Sequence, residues 1–212
     1  PDGDHLYDAY CCIWASDALY YSGGAVTHSS AYNYRANMVA AIIADKLGVP
    51  SERYHKEADA IKRAMNNGLW LNDGHWAEYR DLMGPQRVHE NAALWSVYTP
   101  IDCGAGSQQQ CYNATRYVDS NIPHLPVRWQ SNPLYDRIFD CGADTLYTIS
   151  TSNWMPYSWS INNVASAEVM NTALAFFNSG RSNAGFNLMK ANIMDQMYLG
   201  SSPANFGQVS YY

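Results

Sequence analysis

Two carboxylates beside an indole stand in the segment Gly74-His-Trp-Ala-Glu-Tyr-Arg-Asp-Leu-Met-Gly84, where Trp76, Glu78, Arg80 and Asp81 crowd between two helical patterns. Glycoside hydrolysis uses such a set. It needs a protonated acid for the leaving oxygen and an ionised base or nucleophile on the other face, about 5–5.5 Å away for retention or about 6.5–9.5 Å for inversion. Glu78 and Asp81 are therefore read as catalytic, with Trp76 as a platform for the apolar face of a sugar. On a strand the two acids point to opposite faces, so they need not be the two partners of one pair. The structural alternative is that Arg80 pairs with Asp81 or Glu78 on a solvated loop, a contact worth little.

A third acid, Glu168, follows the aromatic segment Asn153-Trp-Met-Pro-Tyr-Ser-Trp-Ser-Ile-Asn-Asn163. It falls at the edge of an apolar stripe, where burial raises a carboxyl pKa and makes a proton donor at neutral pH. A structural carboxylate bonded to a backbone donor or to Asn171 is the other reading. Trp154 and Tyr157 are assigned to sugar contact. So are His28, in the small-residue loop Ser22–Tyr32, and His89. The glycine pair Gly23-Gly24 permits close backbone approach to a ligand, or serves as a helix cap. Glu90 in a first helical turn has the helix dipole as its alternative role. No Gly-x-Ser-x-Gly elbow and no His-Glu-x-x-His helix occurs, against serine-hydrolase and zinc-protease chemistry.

The elements that must position these residues are mainly helical. Met38, Val39, Ile42, Ile43 and Leu47 form one stripe, ended by Gly48 and Pro50. Ser51 caps a second helix with Tyr54, Ala58, Ile61, Met65 and Leu69 inward, which makes an αα-hairpin. A second hairpin starts at Asn163, with Val164, Ala167, Met170, Leu174 and Phe177, then Phe186, Met189, Ile193 and Met197 after Ser182. Helices are also expected over Leu6–Tyr20, around Glu90–Tyr98 ended by Pro100, and around Tyr112–Ile122 ended by Pro123. The stretches His75–Met83 and Pro126–Ser152 read as irregular loops or short strands, where function concentrates. The fold class is all-α: about seven helices with decorated loops on one side, suggesting part of an α/α toroid.

Tyr7-Asp-Ala-Tyr10, Trp14-Ala-Ser-Asp-Ala-Leu19, Thr27-His-Ser29, Trp76-Ala-Glu78 and Ala92-Ala-Leu-Trp95 carry a family resemblance. So do Trp154-Met-Pro-Tyr-Ser-Trp159, Asn171-Thr-Ala-Leu-Ala175 and Ser201-Ser-Pro-Ala-Asn-Phe-Gly207. Across nearly the whole chain the sequence resembles the six-hairpin glycosidases, a rhamnosidase-like branch of large bacterial proteins. The resemblance implies a ring of helical hairpins with a sugar site at the loop-bearing end and two acids that carry hydrolysis. It transfers no catalytic motif residue by residue. A full ring has six hairpins, so the 212 residues are expected to form a single incomplete toroid, a piece of a longer protein whose other domains are partners.

Composition agrees with a sugar partner. Charged residues are only 15%, against roughly 25% in ordinary globular proteins, and 17 Tyr and 7 Trp supply half-buried rings with polar handles. A net charge of −6 without a Lys/Arg cluster excludes nucleic acid as the expected partner. No run approaches the roughly 18 apolar residues of a membrane span, and the opening residues do not form a signal peptide. The longer protein is expected in the periplasm or outside the cell. No cofactor is called for, no structural metal is expected because no cysteine pair has zinc-knuckle spacing, and the acidic loops leave a bound cation open. Cys103 and Cys111 flank a short loop able to close a disulfide in an oxidising compartment, whereas Cys11-Cys12 read as core. Two other functions stay open: a non-catalytic sugar-binding or scaffold domain, and a polysaccharide lyase using Tyr and His, which the low basic content disfavours.

Overall fold

The computed structural model describes residues 3–9, 24–127, 146–153, 163–198 and 208–210. Among them six α-helices carry the fold: α1 (Thr27–Leu47), α2 (Glu52–Gly68), α3 (Leu94–Cys103), α4 (Gln108–Asn121), α5 (Ser166–Asn178) and α6 (Ser182–Ile193). A π-helical turn, Met194–Tyr198, extends α6. The strands are short and antiparallel. β1 (Asp8–Ala9), β2 (Gly24–Val26), β3 (Tyr79–Asp81) and β4 (Val88–His89) form one sheet in that order. β5 (His124–Pro126) pairs with β6 (Tyr147–Ile149), and β7 (Asn163–Ala165) with β8 (Gln208–Ser210).

The protein is thus mostly helical with a few small strands. α1 packs on α2 and α3, α3 on α5, and α5 on α6, while α4 lies against α3 and α5. α1 ends at Gly48, in a left-handed conformation whose N–H returns to the last turn, and the chain reverses into α2. The core holds Ile61, Met65, Leu69, Trp76, Leu94, Trp95 and Ile149, all essentially without exposure.

The stripe expected for α2 faces inward, with Ala58, Ile61, Met65 and Leu69 buried. In α1 the inward face is a different one. Ala31, Tyr34, Ala41 and Ala44 are buried, and Val39, Ile42, Ile43 and Leu47 stand exposed, up to 71% for Leu47. α5 and α6 repeat the displacement: Val169, Ala173, Phe176 and Leu188 are buried, with Leu174, Phe177 and Phe186 exposed. The cause is close packing. Helices carrying Ala and Gly approach more nearly than helices carrying Ile and Leu, and at Gly185 a Cβ would stand 2.9 Å from the Ala173 carbonyl oxygen.

Other boundaries also move. Asp8–Ala9 is a strand rather than part of a helix, and residues 10–23 lie outside the described residues. Pro100 sits inside α3 and does not end it. Proline removes one intrahelical N–H, yet the buried Ile101 and Cys103 hold the last turn to the core until Gly104 turns left-handed. α4 starts four residues before Tyr112, at a capping box in which Ser107 accepts from the Gln110 N–H and the Gln110 side chain accepts from the Ser107 N–H. Asn163 opens β7 instead of capping α5. Cys103 and Cys111 are free, buried thiols, and burial pushes Cys103 up to about 11. Cys11 and Cys12 lie outside the described residues.

Candidate functional site

Glu78 lies one residue before β3, where it joins two helix starts. Its carbonyl accepts the Thr27 N–H at 3.2 Å, at the first residue of α1. Its carboxylate accepts the Ala93 N–H at 3.0 Å and the Trp95 indole N–H, both at the start of α3. Thr27 adds a hydroxyl bond to the Ala77 carbonyl, 2.5 Å. Because α1 and α3 begin at one residue and pack along each other, they run in the same sense. An acid here satisfies donors that helix starts otherwise leave orphaned, and it complements their dipoles. The side chain is wholly buried and both oxygens are engaged. Burial pushes the Glu78 pKa up to about 7, against the two hydrogen bonds, which lower it.

β3 places the neighbouring residues on alternate faces. Asp81 accepts from His89 Nε2 at 2.8 Å across the β3–β4 ladder, and the His89 ring stacks on Tyr79 with centroids 4.0 Å apart. Asp81 and His89 are therefore brought together, with the His89 side chain 36% exposed. Arg80 turns away from both acids and pairs with Asp4, so neither expected partner holds it. Gly24 explains the close fit of this sheet. At φ 145° it lies so near β3 that any Cβ would collide with the Arg80 carbonyl. This glycine admits a strand where the sequence suggested a ligand or a cap. Ser22 and Gly23 lie outside the described residues.

Glu168 occupies the first turn of α5 and is 8% exposed. The Tyr98 hydroxyl, in the second turn of α3, donates to its Oε2 at 2.5 Å. Burial raises the Glu168 pKa, and the Tyr98 bond works against that rise. Tyr32, 43% exposed on α1, extends this junction towards solvent. Burial raises its phenol pKa, the neighbouring Cys103, Asp102 and Glu168 act in the same direction, and a hydrogen bond with Thr99 opposes the rise. His28 begins the same side of α1 but is buried, and burial lowers its pKa to about 3, which keeps the imidazole neutral. Its Nε2 lies 3.3 Å from the Ser29 hydroxyl.

Trp76 does not present a ring to a sugar. It has no exposure, meets Trp70 edge-on with centroids 4.6 Å apart, and donates its indole N–H to Asn66 at 3.3 Å. A large aromatic in this short loop fills the core more effectively than it coats a surface. Trp154 and Tyr157 lie outside the described residues. Tyr98 and Tyr32 were not among the expected site residues. The four-residue spacing of His28 and Tyr32 along α1 was the available signal, but Tyr98 meets Glu168 only through tertiary packing.

His75 is a further buried group that the sequence reading passed over. Its ring stacks on Tyr117 with centroids 3.5 Å apart and lies between two acceptors, Asp73 Oδ1 and the Glu90 carbonyl, each 2.7 Å away. Burial lowers its pKa, while the Asp73 charge raises it. Among the described residues no three His, Cys, Asp or Glu side chains gather as a metal site. No helix there is long and apolar enough to cross a membrane. No protein-family model matches the chain, and no curated protein is similar to it at a significant level.

Proposed function

We propose that the chain is a carbohydrate-active domain that hydrolyses an oligo- or polysaccharide by paired-carboxylate chemistry, within part of an α/α toroid of the six-hairpin kind. The succession of hairpin α1–α2, helices α3 and α4, and hairpin α5–α6, with α1, α3 and α5 packed in turn, supports the architecture. The observation that carries the chemistry is the Glu168 carboxyl, 8% exposed, bonded by the Tyr98 hydroxyl at 2.5 Å and raised in pKa by burial. Glu168 is the proton donor to the leaving oxygen in this reading. Asp81, held by His89 at 2.8 Å, is assigned the role of second carboxylate, while Glu78 serves the helix starts.

The test is release of reducing ends from a panel of neutral and acidic polysaccharides. Glu168→Gln removes the proton donor and is expected to lower turnover about 10²–10⁴-fold while leaving the thermal midpoint near that of the parent. Asp81→Asn is expected to lower turnover as well. Full turnover in Glu168→Gln defeats the assignment. The sign of the pH profile follows from the raised pKa: activity is present below the Glu168 pKa and falls as pH rises through it.

A non-catalytic sugar-binding domain is the second reading, favoured by the complete enclosure of Glu78 and Trp76. Measurable glycan binding with no turnover on any substrate decides for it.

A further inference from the structure

The second face of α4 is polar in a regular way. Tyr112, Arg116 and Ser120 step by four residues, as do Asn113, Tyr117 and Asn121, so both rows line one side of the helix. The turn Asn72–Gly74 lies over these rows and closes an open groove of about 420 Å³. That volume falls inside the range of about 300–1,000 Å³ usual for small-molecule sites.

The groove is built rather than accidental. Gly74 has φ 95°, and a Cβ placed on it would stand 3.3 Å from the Asn113 Cβ, so glycine lets the turn descend onto the helix. Beneath the turn, His75 stacks on Tyr117 and bonds Asp73, which ties the loop wall to the helix wall. Asn153 donates to the Tyr117 hydroxyl at 3.2 Å and fixes the ring from the far side.

The exposed polar groups keep binding capacity. Gln109 donates to the Asn113 oxygen at 2.9 Å, which leaves the Asn113 amide hydrogens for a ligand. Among the described residues the Asn72 amide and the Arg116 guanidinium have no intramolecular hydrogen-bond or ion-pair partner. One carboxylate, Asp73, offsets one guanidinium, Arg116, so the walls carry no net charge. Amides, a carboxylate and a guanidinium offer planar pairs of donors and acceptors to adjacent hydroxyls. Tyr112, 40% exposed with the Arg181 guanidinium over its ring 5.8 Å from the centroid, adds an aromatic surface to the groove wall.

We infer that the groove between the Asn72–Gly74 turn and α4 is a binding site for a neutral saccharide, with Asn72, Asp73, Tyr112, Asn113, Arg116 and Tyr117 as its contacts. It is separate in sequence from the Glu168 junction and holds the glycan without cleaving it. The inference rests on the carbohydrate reading for the class of ligand, but not on hydrolysis.

Calorimetric titration of the whole chain with neutral hexasaccharides of glucose, xylose, mannose, galactose and rhamnose tests it, with oligogalacturonate as the acidic control. At least one neutral hexasaccharide is expected to bind. Arg116→Ala and Asn113→Ala are each expected to weaken that binding about tenfold, the loss of one charge-assisted or paired hydrogen bond. Ser120→Trp, an exposed change that fills the groove, is expected to abolish it. Thermal midpoints should stay unchanged in all three.

Glu168→Gln separates this site from the proposed active site: it should bind the same hexasaccharide as tightly as the parent. Hexasaccharide binding left unchanged in affinity and stoichiometry by Ser120→Trp, binding of oligogalacturonate alone, or no binding to any neutral hexasaccharide overturns the inference. Loss of turnover on every substrate with intact groove binding overturns the hydrolase reading and leaves this one standing.

Discussion

The Glu78 junction and the α4 groove are built from the same residue types, an acid, aromatic rings and a nearby histidine, yet they end in opposite states. At the junction both carboxylate oxygens of Glu78 are taken by the Ala93 and Trp95 N–H groups, and Trp76 is wholly enclosed. In the groove Asp73 is 53% exposed and Arg116 faces solvent. The difference lies in where hydrogen-bonding capacity goes. Capacity spent on helix starts stabilises the fold and is lost to ligands; capacity left on a fixed, exposed wall is available to them.

The largest expected effect tests the first half of that contrast. Glu78→Ala leaves two buried donors unpaired and opens a cavity, so it should cost about 4 kcal/mol in urea unfolding. A variant that keeps full stability and loses only turnover would transfer Glu78 from architecture to chemistry.

The pH dependence of stability is next in size. The folded Glu78 pKa, about 7, lies above its ordinary value of 4.5. The folded chain therefore keeps a proton that the unfolded chain loses between those values. Its contribution is fully present below pH 4.5 and is lost as pH rises to 7, a change of about 3 kcal/mol. Thermal midpoints measured across this window should fall with rising pH, and the slope should flatten in Glu78→Gln. An unchanged slope in that variant assigns the titration to another group.

Gly74→Ala acts on the groove through its backbone. It forces a side chain into the left-handed region and against Asn113, and should cost about 1–2 kcal/mol by thermal unfolding. The smallest effect is expected for Arg116→Ala, within about 0.5 kcal/mol of the parent in stability, because an exposed side chain without a partner supports little. A large loss there would mean that the groove, like the junction, spends its polar groups on the fold.

Much of the helical framework was legible. α2 follows its apolar period from Ala58 to Leu69, and Gly48 ends α1 where the sequence places the stop. The inward faces of α1, α5 and α6 were not legible from the largest apolar residues. Periodicity reports which residues share a face, but the choice between a face of Ala and Gly and a face of Ile and Leu depends on how closely the neighbouring helix comes. The acids divided in the same way. Asp81 and His89 were each singled out and are neighbours across β3 and β4, whereas Trp76 looked like a platform only while its burial was unknown.

By itself the sequence determined that the chain is mainly helical and carries little charge. These follow from residue type and local spacing, which fix propensity, capping and period. Only the tertiary structure decided that Glu78 and Glu168 are buried while Asp73 stands half exposed. It also decided that Tyr98 meets Glu168 from 70 residues away, and that a glycine turn closes over the polar side of α4. Burial and pairing over such separations depend on how the helices pack, and local sequence carries no record of that distance.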